Sequence, residues 1–378
     1  MRLPVTVVTG FLGAGKTTLL RHLLLNGGQR LAVLVNEFGE VGIDGDLLRS
    51  CGFCPEEELD GRLVELANGC LCCTVQDDFL PTMESLLERA HQLDGIVVET
   101  SGLALPEPLV AAFQWPAIRS RTRVNGVVTV VDGEALAGGS VVADAAALEA
   151  QRQADPSLDH LTAIDALFAD QLAAADLVLI SRADCLDFGQ LEQVRERIGP
   201  LIREGTAVLP MARGDVAPEL VLGPGIQTTA HSTGQHGDEH RHGHQHAQDH
   251  HDHEHQHEHE HEHEHGHHDH SHVAMESVVI RLEGSVERAS LEPALLNLIR
   301  DHGIVRLKGR LWQQNKARPL EIQAVGPRLE SWYAATASTQ TAPARPGLEL
   351  VALGFALPQD HLRACLEELI AAPTARLQ

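Results

Sequence analysis

Residues 10–18 form the part of this sequence whose residue types and spacing point most directly to chemistry. They read Gly-Phe-Leu-Gly-Ala-Gly-Lys-Thr-Thr, a full match to the pattern G-x-x-x-x-G-K-[ST] between a strand-like run and a helical pattern. The glycines let backbone N–H groups surround phosphates, the lysine reaches the β- and γ-phosphates, and the next hydroxyl binds Mg²⁺. The residues predicted to hold the nucleotide here are Gly10, Gly13, Ala14, Gly15, Lys16, Thr17 and Thr18, with Thr17 as a Mg²⁺ ligand.

An acid and a glycine follow a second predicted strand, where the segment 99–102 reads Glu-Thr-Ser-Gly. Ligands of parallel sheets bind beyond the carboxyl ends of the strands, so Glu99 can join the Mg²⁺ shell and the Gly102 N–H can meet the γ-phosphate. We therefore assign Lys16, Glu99 and Gly102 to catalysis, and Glu99 also to nucleotide binding. A merely solvated Glu99 is the alternative. Asp132 ends another apolar run. Its position is explained equally well by a role in the nucleotide site and by the N-cap of a helix.

The choice of base is predicted from residues 181–184, Ser-Arg-Ala-Asp, which occupy the place of the guanine motif N-K-x-D after an apolar run. Asp184 can accept hydrogen bonds from N1–H and N2–H₂ of guanine, a pair that adenine does not offer. Ser181 replaces the usual Asn, and Arg182 replaces the usual Lys but can still lay its stem and guanidinium along the base. GTP is therefore the predicted nucleotide, although the sequence leaves open how strongly it is preferred over ATP. The alternative is that residues 181–184 form an ordinary strand-to-loop turn with no role in base recognition.

Three thiols lie within four residues, at Cys70, Cys72 and Cys73. Ionised thiolates so close together repel one another, and a soft cation is the natural reason to hold them in one place. The motif therefore predicts a transition-metal site, and a redox pair or an incidental buried cluster is the alternative. Glu37, which follows the second predicted strand, is a further oxygen ligand for either metal ion, unless it is a solvated loop acid.

A second cysteine pattern competes with this metal site. Counting Cys51, Cys54, Cys70 and Cys73 gives C-x₂-C-x₁₅-C-x₂-C, which satisfies the spacing of a structural zinc ribbon. In that arrangement Cys72 would not be a ligand, and the segment between the two cysteine pairs would be an acidic loop. The sequence leaves open whether Cys51 and Cys54 bind metal.

The pattern of strands and helices around these residues predicts a doubly wound α/β domain. Apolar runs at 5–9, 31–35, 96–98, 127–131 and 177–180 alternate with helical patterns and are continuous, as in strands buried on both faces. We predict a mostly parallel P-loop sheet in residues 1–222. Residues 274–378 alternate short strands and helices and predict a small α+β domain.

The segment between the two domains cannot form a core, because 19 of the 24 histidines lie in residues 231–272 among acidic residues. We interpret residues 223–273 as a disordered linker that captures metal ions through its histidines, and a plain acidic solvating linker is the alternative. The formal net charge of −24 argues against nucleic acid as a partner. The N-terminus lacks the pattern of a signal peptide and no run of 18 apolar residues occurs, which predicts a cytoplasmic protein without membrane contact.

Taken together, the motifs resemble those of the CobW-type metal-chaperone P-loop GTPases. The resemblance runs from residue 4 to about 370 and rests on segments 9–18, 35–40, 69–73 and 99–104 and on the His-rich stretch before a small C-terminal domain. Segments 41–48 and 150–160, the pair Cys51/Cys54, and Pro327-Arg328 resemble the branch of that family that serves cobalamin biosynthesis. Membership implies hydrolysis of GTP with Mg²⁺, a metal bound by the C-x-C-C thiols, and delivery of Co²⁺ to cobaltochelatase subunits as clients.

Two other functions fit the same residues. One is a zinc chaperone of the same class, since thiolates bind Co²⁺ and Zn²⁺ alike. The other is a metal-buffering protein with a regulatory nucleotide domain. The segment 36–39 lies between the phosphates and the cysteines and is a candidate switch, ordered with GTP and released after hydrolysis. The sequence names no residue that positions the attacking water, and it leaves a homo-oligomer open.

Overall fold

The computed structural model describes residues 2–35, 63–65, 79–154, 164–223, 275–314, 316–334 and 345–371. The described residues of 2–223 and 275–371 belong to one compact unit. Several sequence predictions lie outside the described residues: the switch segment, nearly all of the linker, and Glu37, Cys51, Cys54, Cys70, Cys72 and Cys73.

The first sheet has seven strands in the order β3-β2-β4-β1-β5-β6-β7, and every neighbouring pair is parallel. The strands are β1 (Leu3–Thr9), β2 (Leu31–Val35), β3 (Leu63–Glu65), β4 (Gly95–Glu99), β5 (Thr122–Asp132), β6 (Leu177–Ser181) and β7 (Ala207–Pro210). This confirms the doubly wound parallel sheet, although the sequence analysis did not predict β3 or β7.

Helices cover both faces of this sheet. They are α1 (Lys16–Asn26), α2 (Leu80–Glu88), α3 (Pro106–Ala112), α4 (Gly133–Ala137), α5 (Ala145–Ala154), α6 (Ile164–Ala174), α7 (Phe188–Ile198) and α8 (Pro218–Leu222). On one face Leu19 and Leu23 of α1 pack against Val8 and Val128, and on the other Met83 of α2 packs among residues that include Val7. Burial on both faces explains why the strands read as unbroken apolar runs.

The C-terminal domain is a five-stranded antiparallel sheet in the order β11-β10-β9-β12-β8. Its strands are β8 (Met275–Glu283), β9 (Ile304–Trp312), β10 (Leu320–Val325), β11 (Arg328–Tyr333) and β12 (Gly347–Phe355). The helices α9 (Arg288–Asp301) and α10 (Gln359–Ala371) share its core through Leu291, Leu295, Leu362 and Leu366. The prediction of a small α+β domain is confirmed.

The two domains share a core and a network of charges. Val305, Val325 and Leu353 of the C-terminal domain join the core on the α1 face of the parallel sheet. Arg306, which is buried, donates to the backbone carbonyls of Leu220 and Val221 on α8. The C-terminal domain therefore holds the end of α8 directly. Of the described helices, none is both long and apolar enough to cross a membrane.

Asp176 lies at the centre of this interface with its carboxylate completely buried. It accepts a hydrogen bond from Val127 N at 2.8 Å and forms ion pairs with Arg203 and with Arg328 of β11. One carboxylate therefore links the parallel sheet to the C-terminal domain.

We expect Asp176→Asn to lower the free energy of unfolding by about 3 kcal/mol, because it removes the charge that two partly buried guanidinium groups share. Urea denaturation measures the change. The matched control is Glu283→Gln, which breaks an ion pair with Arg345 in which both side chains are about three-quarters exposed and which should cost at most about 0.5 kcal/mol. Equal losses in the two variants would show that Asp176 does not tie the domains together.

Candidate nucleotide site

The phosphate loop leaves β1 and enters α1 through backbone conformations that glycine alone adopts easily. Gly10 has φ 138°, and a Cβ added there would lie 2.1 Å from the carbonyl oxygen of Val130. Gly15, with φ 102°, stands immediately before the first helical residue, Lys16. The loop is therefore fixed against β5 with the first N–H groups of α1 at its end, which is the geometry that holds phosphates.

Lys16 is 7% exposed, and its ammonium lies inside the loop. Lys16 Nζ donates to the Phe11 carbonyl at 3.2 Å and lies 3.7 Å from Glu99 Oε1. Glu99 is 3% exposed and reaches this position because β4 runs parallel to β1, with Val8 opposite Glu99. The structure therefore brings Lys16 and Glu99 together, and it places Glu99 beside the phosphate loop, buried at the end of β4, rather than in a solvated turn.

Gly102 lies directly against the phosphate loop. A Cβ added at Gly102 would lie 2.6 Å from Leu12 N. The segment is held by Gln171 of α6, whose Nε2 donates to the carbonyls of Gly102 and Ala104, each at 3.1 Å. Gln171 is 1% exposed and positions this loop from the neighbouring helix. The sequence analysis missed it, although a glutamine among the apolar residues of α6 was a signal.

At the end of β6 the structure shows how the two departures from N-K-x-D are accommodated. Ser181 is buried, and its Oγ donates to the Val131 carbonyl at 3.1 Å. Arg182 forms an ion pair with Asp132 and donates from Nη2 to the Gly13 carbonyl at 3.3 Å. Its guanidinium is therefore bonded to the phosphate loop and to Asp132.

Asp132 is the N-cap of α4, since its Oδ1 accepts from Ala135 N at 3.1 Å. The structure therefore shows the N-cap role, one of the two alternatives that the sequence left open. Asp132 caps a helix, and through Arg182 it supports the loop that carries the phosphates.

Asp184 lies in a short 3₁₀ turn, Ala183–Cys185, directly after Arg182. Its Oδ2 is 3.5 Å from Nε of Arg213, in a loop that follows β7. The same loop is tied to the turn by a hydrogen bond from Ala183 N to the Met211 carbonyl at 3.3 Å. It is also tied to α1, because His22 Nε2 lies 3.1 Å from the Val216 carbonyl. The loop after β7 therefore lies beside Asp184, a neighbour that was not predicted from the sequence.

Comparison with known proteins assigns both domains. Residues 4–208 match the model of the CobW/HypB/UreG nucleotide-binding domain, and residues 275–370 match that of the cobalamin synthesis protein cobW C-terminal domain. The chain belongs to the CobW family. It is a P-loop GTPase, as the resemblance implied.

Three relatives of this CobW-family GTPase show how far the similarity extends. "Zinc chaperone CobW" of Pseudomonas aeruginosa is 46% identical over 88% of this chain and 83% of its own length. "Zinc chaperone CobW" of a Sinorhizobium species is 39% identical over 98% of both chains. "Zinc-regulated GTPase metalloprotein activator 1" of Schizosaccharomyces pombe is 46% identical over 34% of this chain and 31% of its own length.

The ligands predicted for the transition metal of this CobW-family GTPase, Cys70, Cys72, Cys73 and Glu37, lie outside the described residues. Within the described ranges, no group of three or more His, Cys, Asp or Glu side chains is arranged to hold a metal ion. The backbone nevertheless shows where the chain enters and leaves those segments. β2 and β3 are parallel with Val35 opposite Glu65, so both strands end at the edge that carries the phosphate loop. Cys70 follows Glu65 by five residues.

We expect Asp184→Asn to weaken GTP binding about 10- to 100-fold, because the amide presents a donor where the carboxylate would accept from guanine. Xanthosine triphosphate should bind better to this variant than to the wild type, since xanthine offers an acceptor at that position. The control is Asp187→Asn three residues later, where the side chain caps α7 and asparagine caps equally well. Nucleotide titration of the three proteins is the measurement, and wild-type protein that binds ATP as tightly as GTP would refute the assignment of the base motif.

Proposed function

We propose that this CobW-family GTPase is a metallochaperone that couples GTP hydrolysis to the delivery of Zn²⁺. Two relatives that align with most of the chain carry the name zinc chaperone. These names favour Zn²⁺ over the Co²⁺ that the sequence analysis put first. The thiols of Cys70, Cys72 and Cys73 suit either ion.

The observation that supports coupling best is the shared edge of the parallel sheet. β1, β2, β3 and β4 are parallel neighbours, so the phosphate loop, the segment after Val35, the segment after Glu65 and Glu99 all begin at one edge. A change in the phosphates at that edge can therefore reach the cysteine segment through a few residues of chain. In this proposal residues 36–39 respond to the γ-phosphate and change the environment of the thiols.

The residues at the start of α1 and the end of β4 suit Mg²⁺. The half-buried Thr17 offers a hydroxyl and the buried Glu99 offers a carboxylate, and both are hard oxygen donors of the kind Mg²⁺ prefers. When bound with GTP, the ion supplies positive charge to the β- and γ-phosphates. Lys16 adds its ammonium to the same oxygens, and the glycine loop donates backbone N–H groups. Gly102, held by Gln171, brings its N–H to the γ-phosphate side of the loop.

Delivery of Co²⁺ to cobaltochelatase subunits is a second candidate. It is favoured by the match of residues 275–370, because that domain is described as part of a cobalamin synthesis protein. Turnover of GTP that rises only when purified cobaltochelatase is present would support it, and a zinc enzyme that stimulates turnover instead would support the zinc proposal. In either case the His-rich linker would raise the local concentration of metal ions.

We expect Cys72→Ser and Cys73→Ser to remove the tight metal site, because a serine hydroxyl is a much poorer ligand for Zn²⁺ or Co²⁺ than a thiolate. Bound Co²⁺ should show intense sulfur-to-cobalt charge-transfer absorption in the wild type and lose it in both variants. Cys51→Ser is the matched control and should keep the bands. Bands lost equally from Cys51→Ser would favour the structural zinc ribbon, and bands kept by all three variants would exclude the thiols as ligands.

A further inference from the structure

A cavity of about 440 Å³ opens between the two domains, away from the nucleotide site. Arg2 directly precedes β1, and Arg123 is the second residue of β5, so both stand at the strand ends opposite the phosphate loop. The C-terminal domain closes the cavity with α9 and with β11, which contributes Trp332. A second cavity of about 430 Å³ shares Arg2, Gln114 and Arg119 with the first. Arg2 and Arg119 therefore stand where the two cavities meet.

The lining of this cavity is positive in a chain with a net charge of −24. It holds four arginines and two acids, Glu292 and Glu330. Glu292 is already engaged, since it accepts from Arg288 Nε at 2.8 Å and from Ser331 Oγ at 2.6 Å. Arg2, Arg119 and Arg123 form no side-chain hydrogen bond and no ion pair with any residue that the structure describes. Three arginines thus line one cavity without a carboxylate that is hydrogen-bonded or ion-paired to them.

Arg123 is the most confined of the three. Its guanidinium lies 5.2 Å from the centre of the Trp332 ring. The pKa of Arg123 is lowered to about 10, chiefly by burial and also by the charge of Arg2, while Glu330 and Glu321 act in the opposite direction. A cation held in this way loses hydration without gaining a hydrogen-bonded anion, which costs free energy. An anion bound in the cavity would offset this free-energy cost by pairing with the guanidinium of Arg123.

We infer that this cavity binds a small phosphate-bearing molecule, with its phosphate at the arginines and its organic part against Trp332. The planar donors of arginine match phosphate oxygens in pairs. Leu296 and Leu329 add apolar surface beside the ring, and the volume lies in the range of small-molecule sites. The two glutamates in the wall disfavour an extended acidic peptide, which would bring several carboxylates past them. Because the cavity is lined from both domains, its occupant would contact both.

The test uses the full chain with its nucleotide site filled by Mg·GDP, and phenyl phosphate as the probe, since it combines a phosphate with an aromatic ring. Isothermal titration should show one additional site in the wild type. Arg119→Gln changes an exposed side chain and should weaken this binding at least tenfold, or about 1.4 kcal/mol. Arg345→Gln is the matched control, because Arg345 is exposed on the C-terminal domain and should leave the affinity unchanged.

Three results would overturn the inference. These are an absence of saturable binding by the wild type, equal affinity in Arg119→Gln and the wild type, and an equal loss in Arg345→Gln. If a hexaglutamate peptide binds more tightly than phenyl phosphate and displaces it, the occupant of the cavity would be an acidic peptide and not a small phosphate-bearing molecule. Binding of phenyl phosphate should persist in Lys16→Ala, which separates this cavity from the phosphate loop. Circular dichroism of each variant shows that the fold is kept.

Discussion

Lys16→Ala should reduce GTP hydrolysis by about 10³-fold and weaken GTP binding, with the fold retained. The ammonium of Lys16 is buried in the phosphate loop, between the Phe11 carbonyl and the Glu99 carboxylate. No other lysine or arginine of the described residues occupies that position, so the variant loses the positive charge that meets the β- and γ-phosphates. It also removes the ammonium that lies 3.7 Å from Glu99 Oε1, so the Glu99 carboxylate repels the phosphates more strongly and binding becomes weaker.

Lys316→Ala is the matched control for this prediction. Lys316 is a surface lysine of the C-terminal domain, with its ammonium 5.5 Å from the centre of the Tyr333 ring. Its loss should leave hydrolysis unchanged. Release of inorganic phosphate measures the rate, and nucleotide titration measures the affinity. Wild-type turnover in Lys16→Ala would mean that residues 10–18 do not form the catalytic phosphate loop.

The sequence predicted the parts of this site that are encoded locally. The phosphate loop depends on glycines and a lysine at fixed spacing, and the structure places Lys16 within it, beside Glu99. Glu99 could be placed because parallel strands bring their carboxyl ends to one edge. The apolar strand runs could also be recognised, since a strand buried on both faces has few polar positions.

The parts that escaped prediction depend on residues far apart in the chain. Gln171 supports the loop at Gly102 from a helix about 70 residues later, and only the packing of α6 on the sheet shows this. β7 is four residues long and ends in a proline, so its sequence carries little periodicity, and the loop that flanks Asp184 was missed with it. The interface carboxylate Asp176 could not be paired with Arg328 from sequence, because the two belong to different domains.

We expect the metal affinity of this protein to depend strongly on the bound nucleotide. Linkage requires that if GTP tightens metal binding, the metal tightens GTP binding by the same factor. A nearly complete switch, from 1:99 to 99:1, needs a difference in affinity of about 10⁴-fold, or roughly 5.5 kcal/mol. A segment that completes or removes one metal ligand when the γ-phosphate is lost can supply a difference of this size. We therefore expect tight binding with Mg·GTP and weak binding with Mg·GDP.

The most direct measurement is the affinity of the full chain for Co²⁺, read from its thiolate charge-transfer bands with Mg²⁺ and a non-hydrolysable GTP analogue, and again with Mg·GDP. The bands report the cysteine site alone, so histidine-bound ions do not obscure the result, and competition with Zn²⁺ gives the affinity for the proposed cargo. We expect binding that is several orders of magnitude tighter in the GTP state. Equal affinity in the two nucleotide states would contradict it.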